Sequence, residues 1–189
     1  MPKKNDAWSL ISVKGEGVTL IINGEDGIVK AAENDSYCVD VQDGAKVVIN
    51  GGTYVGNISA VYVKQGEAYI NDGNFSIQQL SDVEGAEYKY VLNCLDENYA
   101  NGTAKIIVSG GTFVGFDPSA EIEAVPGNYL PDNGYAVQQG EASDGSVIYT
   151  VYKTTVQNTA ADVTTTVEES DSGSTTTEET TTEENTTEG

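Results

Sequence analysis

The side chains able to do chemistry in this 189-residue chain are carboxylates, phenols, amines and two thiols. Thirty residues are Asp or Glu, 11 are Tyr and 9 are Lys; Cys38 and Cys94 are the two cysteines, and there is no histidine or arginine. Without histidine, Ser-His-Asp and Cys-His arrangements and imidazole metal sites are out of reach. Without arginine there is no bidentate clamp for phosphate or carboxylate. A formal net charge of −21 repels polyanions and anionic lipid, so neither nucleic acid nor a membrane is expected as a partner. Two cysteines are too few for a disulfide framework and are expected as buried thiols.

The carboxylates cluster in pairs: Glu25 with Asp26, Asp40 with Asp43, Asp96 with Glu97. None has the spacing of a calcium loop. They are read as solvated turns, with no metal and no cofactor expected. Gly51-Gly52 and Gly110-Gly111 lack the Lys-Ser/Thr of a phosphate loop. No catalytic residue is assigned. A binding role falls to aromatic rings on the longest loops, Tyr88, Tyr99 and Phe116, because rings stack on sugar faces and anchor interfaces.

The elements that must position these residues come from an internal repeat. Leu20-Ile21-Ile22-Asn23-Gly24, Val47-Val48-Ile49-Asn50-Gly51, Ala68-Tyr69-Ile70-Asn71-Asp72 and Ile106-Ile107-Val108-Ser109-Gly110 align. Spacings of 27, 21 and 38 residues between Ile22, Ile49, Ile70 and Val108 are those of stacked repeats. Alternation gives the inward set Leu20/Ile22, Val47/Ile49, Ala68/Ile70 and Ile106/Val108. The other face carries Ile21, Val48, Tyr69 and Ile107, an apolar patch suited to docking on another subunit. Asn23, Asn50, Asn71 and Ser109 share a column able to form a hydrogen-bonded ladder, and Tyr54, Phe75 and Phe113 share one able to stack. A second strand recurs as Tyr37–Val41, Ala60–Val63 and Tyr90–Cys94. Length variation is confined to the turns between strands.

The fold expected is therefore all-β: a right-handed parallel β-helix, a pectate-lyase-like solenoid, over residues 18–117. An N-terminal cap is expected over 1–17, with Trp8 covering the first turn of the solenoid. A capping β-hairpin is expected over 118–153, from Tyr135-Ala136-Val137 and Val147–Val151. The Thr/Glu-rich segment 154–189 has too little apolar surface to fold and is expected to be disordered. The apolar stretch Ala7–Ile11 is too short for a signal sequence, and the chain is expected to carry neither leader nor anchor.

The runs Ile49-Asn50-Gly51-Gly52-Thr53-Tyr54 and Val108-Ser109-Gly110-Gly111-Thr112-Phe113 resemble the "GGTF" rungs of right-handed β-helix proteins from gut bacteria and their phages. Tyr129–Val137 with Tyr149-Thr150-Val151 resembles the closing segment of the same modules, and the likeness covers roughly residues 16–152. The resemblance implies a non-catalytic phage virion structural protein, a capsid decoration, fibre or tail-associated protein acting as a rigid attachment module. Its partners would be other virion proteins or a second copy of itself, and a surface glycan, and its location the virion. Two alternatives stay open: a glycan-binding adhesin module at the bacterial surface or secreted, and a polysaccharide-cleaving enzyme. β-Helical pectate lyases use an arginine base that this chain lacks, and the related hydrolases use aspartates on neighbouring rungs, where only Asp72 stands here.

Overall fold

Alternating apolar residues and glycine corners set the elements of the chain. The computed structural model describes residues 9–31, 37–78, 90–120 and 128–154. In order they form β1 (Ser9–Lys14), β2 (Thr19–Ile22), β3 (Ile28–Lys30), β4 (Tyr37–Gln42), β5 (Ala45–Gly56), β6 (Ser59–Val63), β7 (Gly66–Ile77) and β8 (Leu92–Cys94). The short helix α1 (Asp96–Ala100) follows, then β9 (Ala104–Val108), β10 (Gly111–Val114), β11 (Tyr135–Glu141) and β12 (Val147–Lys153). The described chain is all-β apart from α1.

Two sheets form. One is four-stranded and wholly parallel, in the order β1-β4-β6-β8. The other runs β11-β12-β10-β7-β5-β2, with β3 beside β5 and β9 beside β7. It is mixed: β2, β5, β7 and β10 pair in parallel, whereas β12 joins β10 and β11 antiparallel. The expected closing hairpin is thus β11–β12, laid against β10. Ser9–Lys14 differs from its assignment to an N-terminal cap. It pairs with β4 from Ser9↔Tyr37 to Lys14↔Gln42, because Ile11 and Val13 continue the inward alternation of Val39 and Val41.

The inward residues form one core. Val39, Val41, Val61, Val63 and Leu92 come from the four-stranded sheet; Val47, Ile49, Ala68, Ile70, Ile106 and Val108 come from the mixed sheet. All were placed inward by alternation or lie in the aligned strands. Leu20 and Ile22 are only partly buried, since β2 is an outer strand of its sheet.

β5 and β7 are each two strands joined at a glycine corner. β5 pairs with β2 before the corner and with β3 after it, and its register with β7 shifts between Ile49 and Thr53. The glycine at the second position of each corner is required. Gly52 (φ 101°), Gly73 (φ 130°) and Gly111 (φ 100°) stack so that a Cβ would lie 2.9 Å from the Gly24 oxygen, 3.0 Å from the Gly52 oxygen and 3.0 Å from the Gly73 oxygen, respectively. A side chain would meet a carbonyl of the preceding repeat, in a conformation L-residues rarely adopt.

The chain partitions into Met1–Val156 and Gln157–Gly189. Thr154 still donates its backbone N–H to the Gly134 oxygen at 2.8 Å. The remainder of the expected tail, like Trp8, lies outside the described residues.

Candidate functional site

Of the three loop aromatics, Tyr88 lies outside the described residues. Tyr99 and Phe116 are brought together, but not as exposed rings. Tyr99 meets the buried Tyr129 edge-on at 5.9 Å, and Phe116 lies 6.4 Å from both Tyr129 and Phe113. Both are partly buried against the core. Tyr129 supplies an apolar partner that both rings reach, so each keeps only part of its surface open to solvent. Burial pushes the Tyr129 phenol up, with the adjoining Cys94 thiol adding to it. Burial likewise raises the Cys94 thiol to about 12, so it is an inert thiol rather than a nucleophile. Neither Cys38 nor Cys94 is in a disulfide, and both are buried.

The four apolar outward residues do form one row. The register sets Ile21 beside Val48, Val48 beside Tyr69 and Tyr69 beside Ile107. Ile21 is 58% exposed, while the others are half-buried. Lys46 accounts for part of that cover: its Nζ sits 4.1 Å from the Tyr69 ring centroid and 3.7 Å from Glu67 Oε2, while the Tyr69 hydroxyl donates to the same carboxylate at 3.1 Å. The row is therefore sticky at the Ile21 end and dressed with charge in the middle.

The most developed polar site lies on the outer face of the four-stranded sheet. There the register aligns Ser12, Asp40 and Tyr62 across β1, β4 and β6, with Lys14 beside Gln42 in the next row. They line a recess of about 350 Å³ together with Ser9 and Tyr37. Tyr37 and Tyr62 stack with centroids 4.5 Å apart and planes 12° apart. Burial raises the Tyr62 phenol, and the Asp40 charge raises it further. Asp40 is 3% exposed. Its Oδ2 accepts from Ser9 Oγ at 2.9 Å and from Gln42 Nε2 at 2.5 Å. Its Oδ1 has no hydrogen-bond partner among the described residues.

Of this site the sequence offered only Asp40, paired with Asp43 and read as part of a solvated turn; that reading is corrected for Asp40, which is buried within β4. Asp43 instead occupies the exposed turn after β4, with φ at 55°. Among the described residues no group of three or more His, Cys, Asp or Glu could hold a metal ion, and no helix is long and apolar enough to cross a membrane. A usable signal is present in the sequence: the strands Tyr37–Val41 and Ala60–Val63 align, and their outward positions hold Asp40 and Tyr62. No protein-family model, curated protein or solved structure matches the chain.

Proposed function

We propose that the body is a right-handed parallel β-helix and that the chain is a rigid, non-catalytic attachment module of a phage virion, a capsid decoration, fibre or tail-associated protein. The observation that carries this reading is the end-to-end continuity of side-chain columns. Asn23, Asn50, Asn71 and Ser109 are hydrogen-bonded in sequence at 2.7, 2.7 and 2.8 Å. Tyr54, Phe75 and Phe113 stack at successive 5.1 Å spacings. Columns of this kind stiffen a stack of strands and turn its faces into ordered arrays, which suits a part whose work is presenting a surface. The Ile21–Val48–Tyr69–Ile107 row is the face that would dock on another virion protein or a second copy. The "GGTF" resemblance supports the phage setting.

A second reading, a surface or secreted glycan-binding module of a bacterium, is favoured by the recess around Asp40, Tyr37 and Tyr62. Mass spectrometry of purified particles and of washed cells separates the two. The chain is expected in particles, with no new reducing ends when it is incubated with acidic polysaccharides. Its presence only on cells would favour the second reading. Its absence from particles together with release of reducing ends would replace both with a polysaccharide-cleaving enzyme.

A further inference from the structure

We propose that the recess on the outer face of the four-stranded sheet binds one neutral sugar ring of a glycan. The inference rests on the reading of the chain as an attachment module and names the ligand class and the residues that take it.

The first ground is Asp40. Carboxylates are rarely buried without full hydrogen bonding, because an idle acceptor removed from water destabilises the fold. Among the described residues, the two donors to Asp40, Ser9 and Gln42, both serve Oδ2, and Oδ1 has none. Oδ1 is out of contact with solvent, so a small donor arriving from the recess completes the set once the carboxylate rotates to present that oxygen. A sugar hydroxyl is such a donor.

The second ground is the stacked pair Tyr37 and Tyr62, which gives the recess a flat apolar wall. A pyranose presents C–H groups on one face and hydroxyls on its rim, so ring wall and carboxylate address different parts of the same molecule. A volume of about 350 Å³ is at the small end for ligand pockets and suits a single ring.

Charge selects the class. Asp40 opposes an anionic ligand, and the Lys14 ammonium on the recess wall opposes a cationic one. A neutral polyol is tolerated by both, and Lys14, Ser12 and Gln42 supply further hydrogen-bonding groups around it.

The test uses the full-length chain, labelled with ¹⁵N, titrated with glucose, galactose, mannose and N-acetylglucosamine, and separately with spermidine and inorganic phosphate, all at millimolar concentrations. At least one sugar is expected to give saturable amide shifts confined to β1, β4 and β6. Asp40→Asn is expected to weaken it at least tenfold. Ser12→Tyr, at an exposed position on the recess wall, places a ring in the recess while leaving Asp40 and its two donors unchanged, and is expected to abolish the shifts, which keeps the test decisive should Asp40→Asn fail to fold. Saturable binding of spermidine or phosphate with no sugar bound overturns the proposal, as does the absence of any saturable shift. Sugar binding that survives Ser12→Tyr and maps elsewhere overturns this site but leaves the attachment reading standing. Absence of the chain from both particles and cells defeats the attachment reading whatever the titration shows.

Discussion

Asn50 donates its side-chain amide to Asn23 Oδ1 at 2.7 Å, across 27 residues of chain, and its own Oδ1 accepts from Asn71 at 2.7 Å. It is the one asparagine of the column that bonds both ways to another asparagine. Asn50→Ala removes both bonds at an exposed position, where water satisfies the abandoned groups. A loss of about 1 kcal/mol is expected, read as a lower urea midpoint with an unchanged slope. Asn50→Asp keeps the acceptor for Asn71 but loses the donor to Asn23, and should lie between Ala and the parent.

Phe75 stands between Tyr54 and Phe113 in the aromatic column, and all three rings are buried. Phe75→Ala empties the middle of the stack and should cost about 3–5 kcal/mol. Phe75→Leu keeps most of the volume and loses only the ring stacking, so its cost should be much smaller. Chemical denaturation of the two variants checks the order; equal losses would deny the stack any role of its own.

Two glycines of positive φ separate conformation from space. At Gly73 a Cβ would lie 3.0 Å from the Gly52 oxygen and from the Phe75 ring, whereas at Gly115 (φ 65°) nothing lies within 4 Å. Gly115→Ala carries only the left-handed backbone penalty, about 1–2 kcal/mol. Gly73→Ala adds a clash with backbone and a buried ring, and should be distinctly worse in thermal midpoint.

The buried Cys94 thiol makes stability fall in alkali. Its folded value is raised by burial from about 9 to about 12, so the unfolded chain releases this proton first. The contribution is complete below pH 9 and is lost as pH rises from 9 to 12, at about 1.4 kcal/mol per pH unit. Tyr129 shifts in the same direction and extends the loss above pH 10. Thermal melts from pH 7 to 11 should show a descending midpoint, and Cys94→Ala should flatten the slope by close to one proton. An unchanged slope would place the alkaline loss on other groups.

Much of the architecture was legible because it is written at short range and then repeated. Val47, Ile49, Ala68 and Ile70 alternate with outward residues, and alternation alone sends them to the core. The Asn and aromatic columns follow once the strands are aligned, since parallel pairing brings equal positions of successive repeats side by side. The glycine corners were legible as turns, although the reason Gly52, Gly73 and Gly111 are needed lies in a carbonyl of the preceding repeat.

The site was less legible. Tyr99 and Phe116 sit in loops, and whether a loop ring faces solvent depends on what the fold sets beneath it. Tyr129, distant in sequence, decided that. Ser9 lies in a segment that reads as a cap, and only its pairing with β4 brings its hydroxyl to Asp40. What the sequence by itself determined is therefore the all-β class, the strands, their inward faces and the stacked columns, because these depend on residue type and period. Tertiary structure alone decided which polar groups meet in the recess, which donors Asp40 receives and which oxygen is left without one. Those outcomes turn on a few ångströms between residues 31 positions apart, and no local preference encodes such a distance.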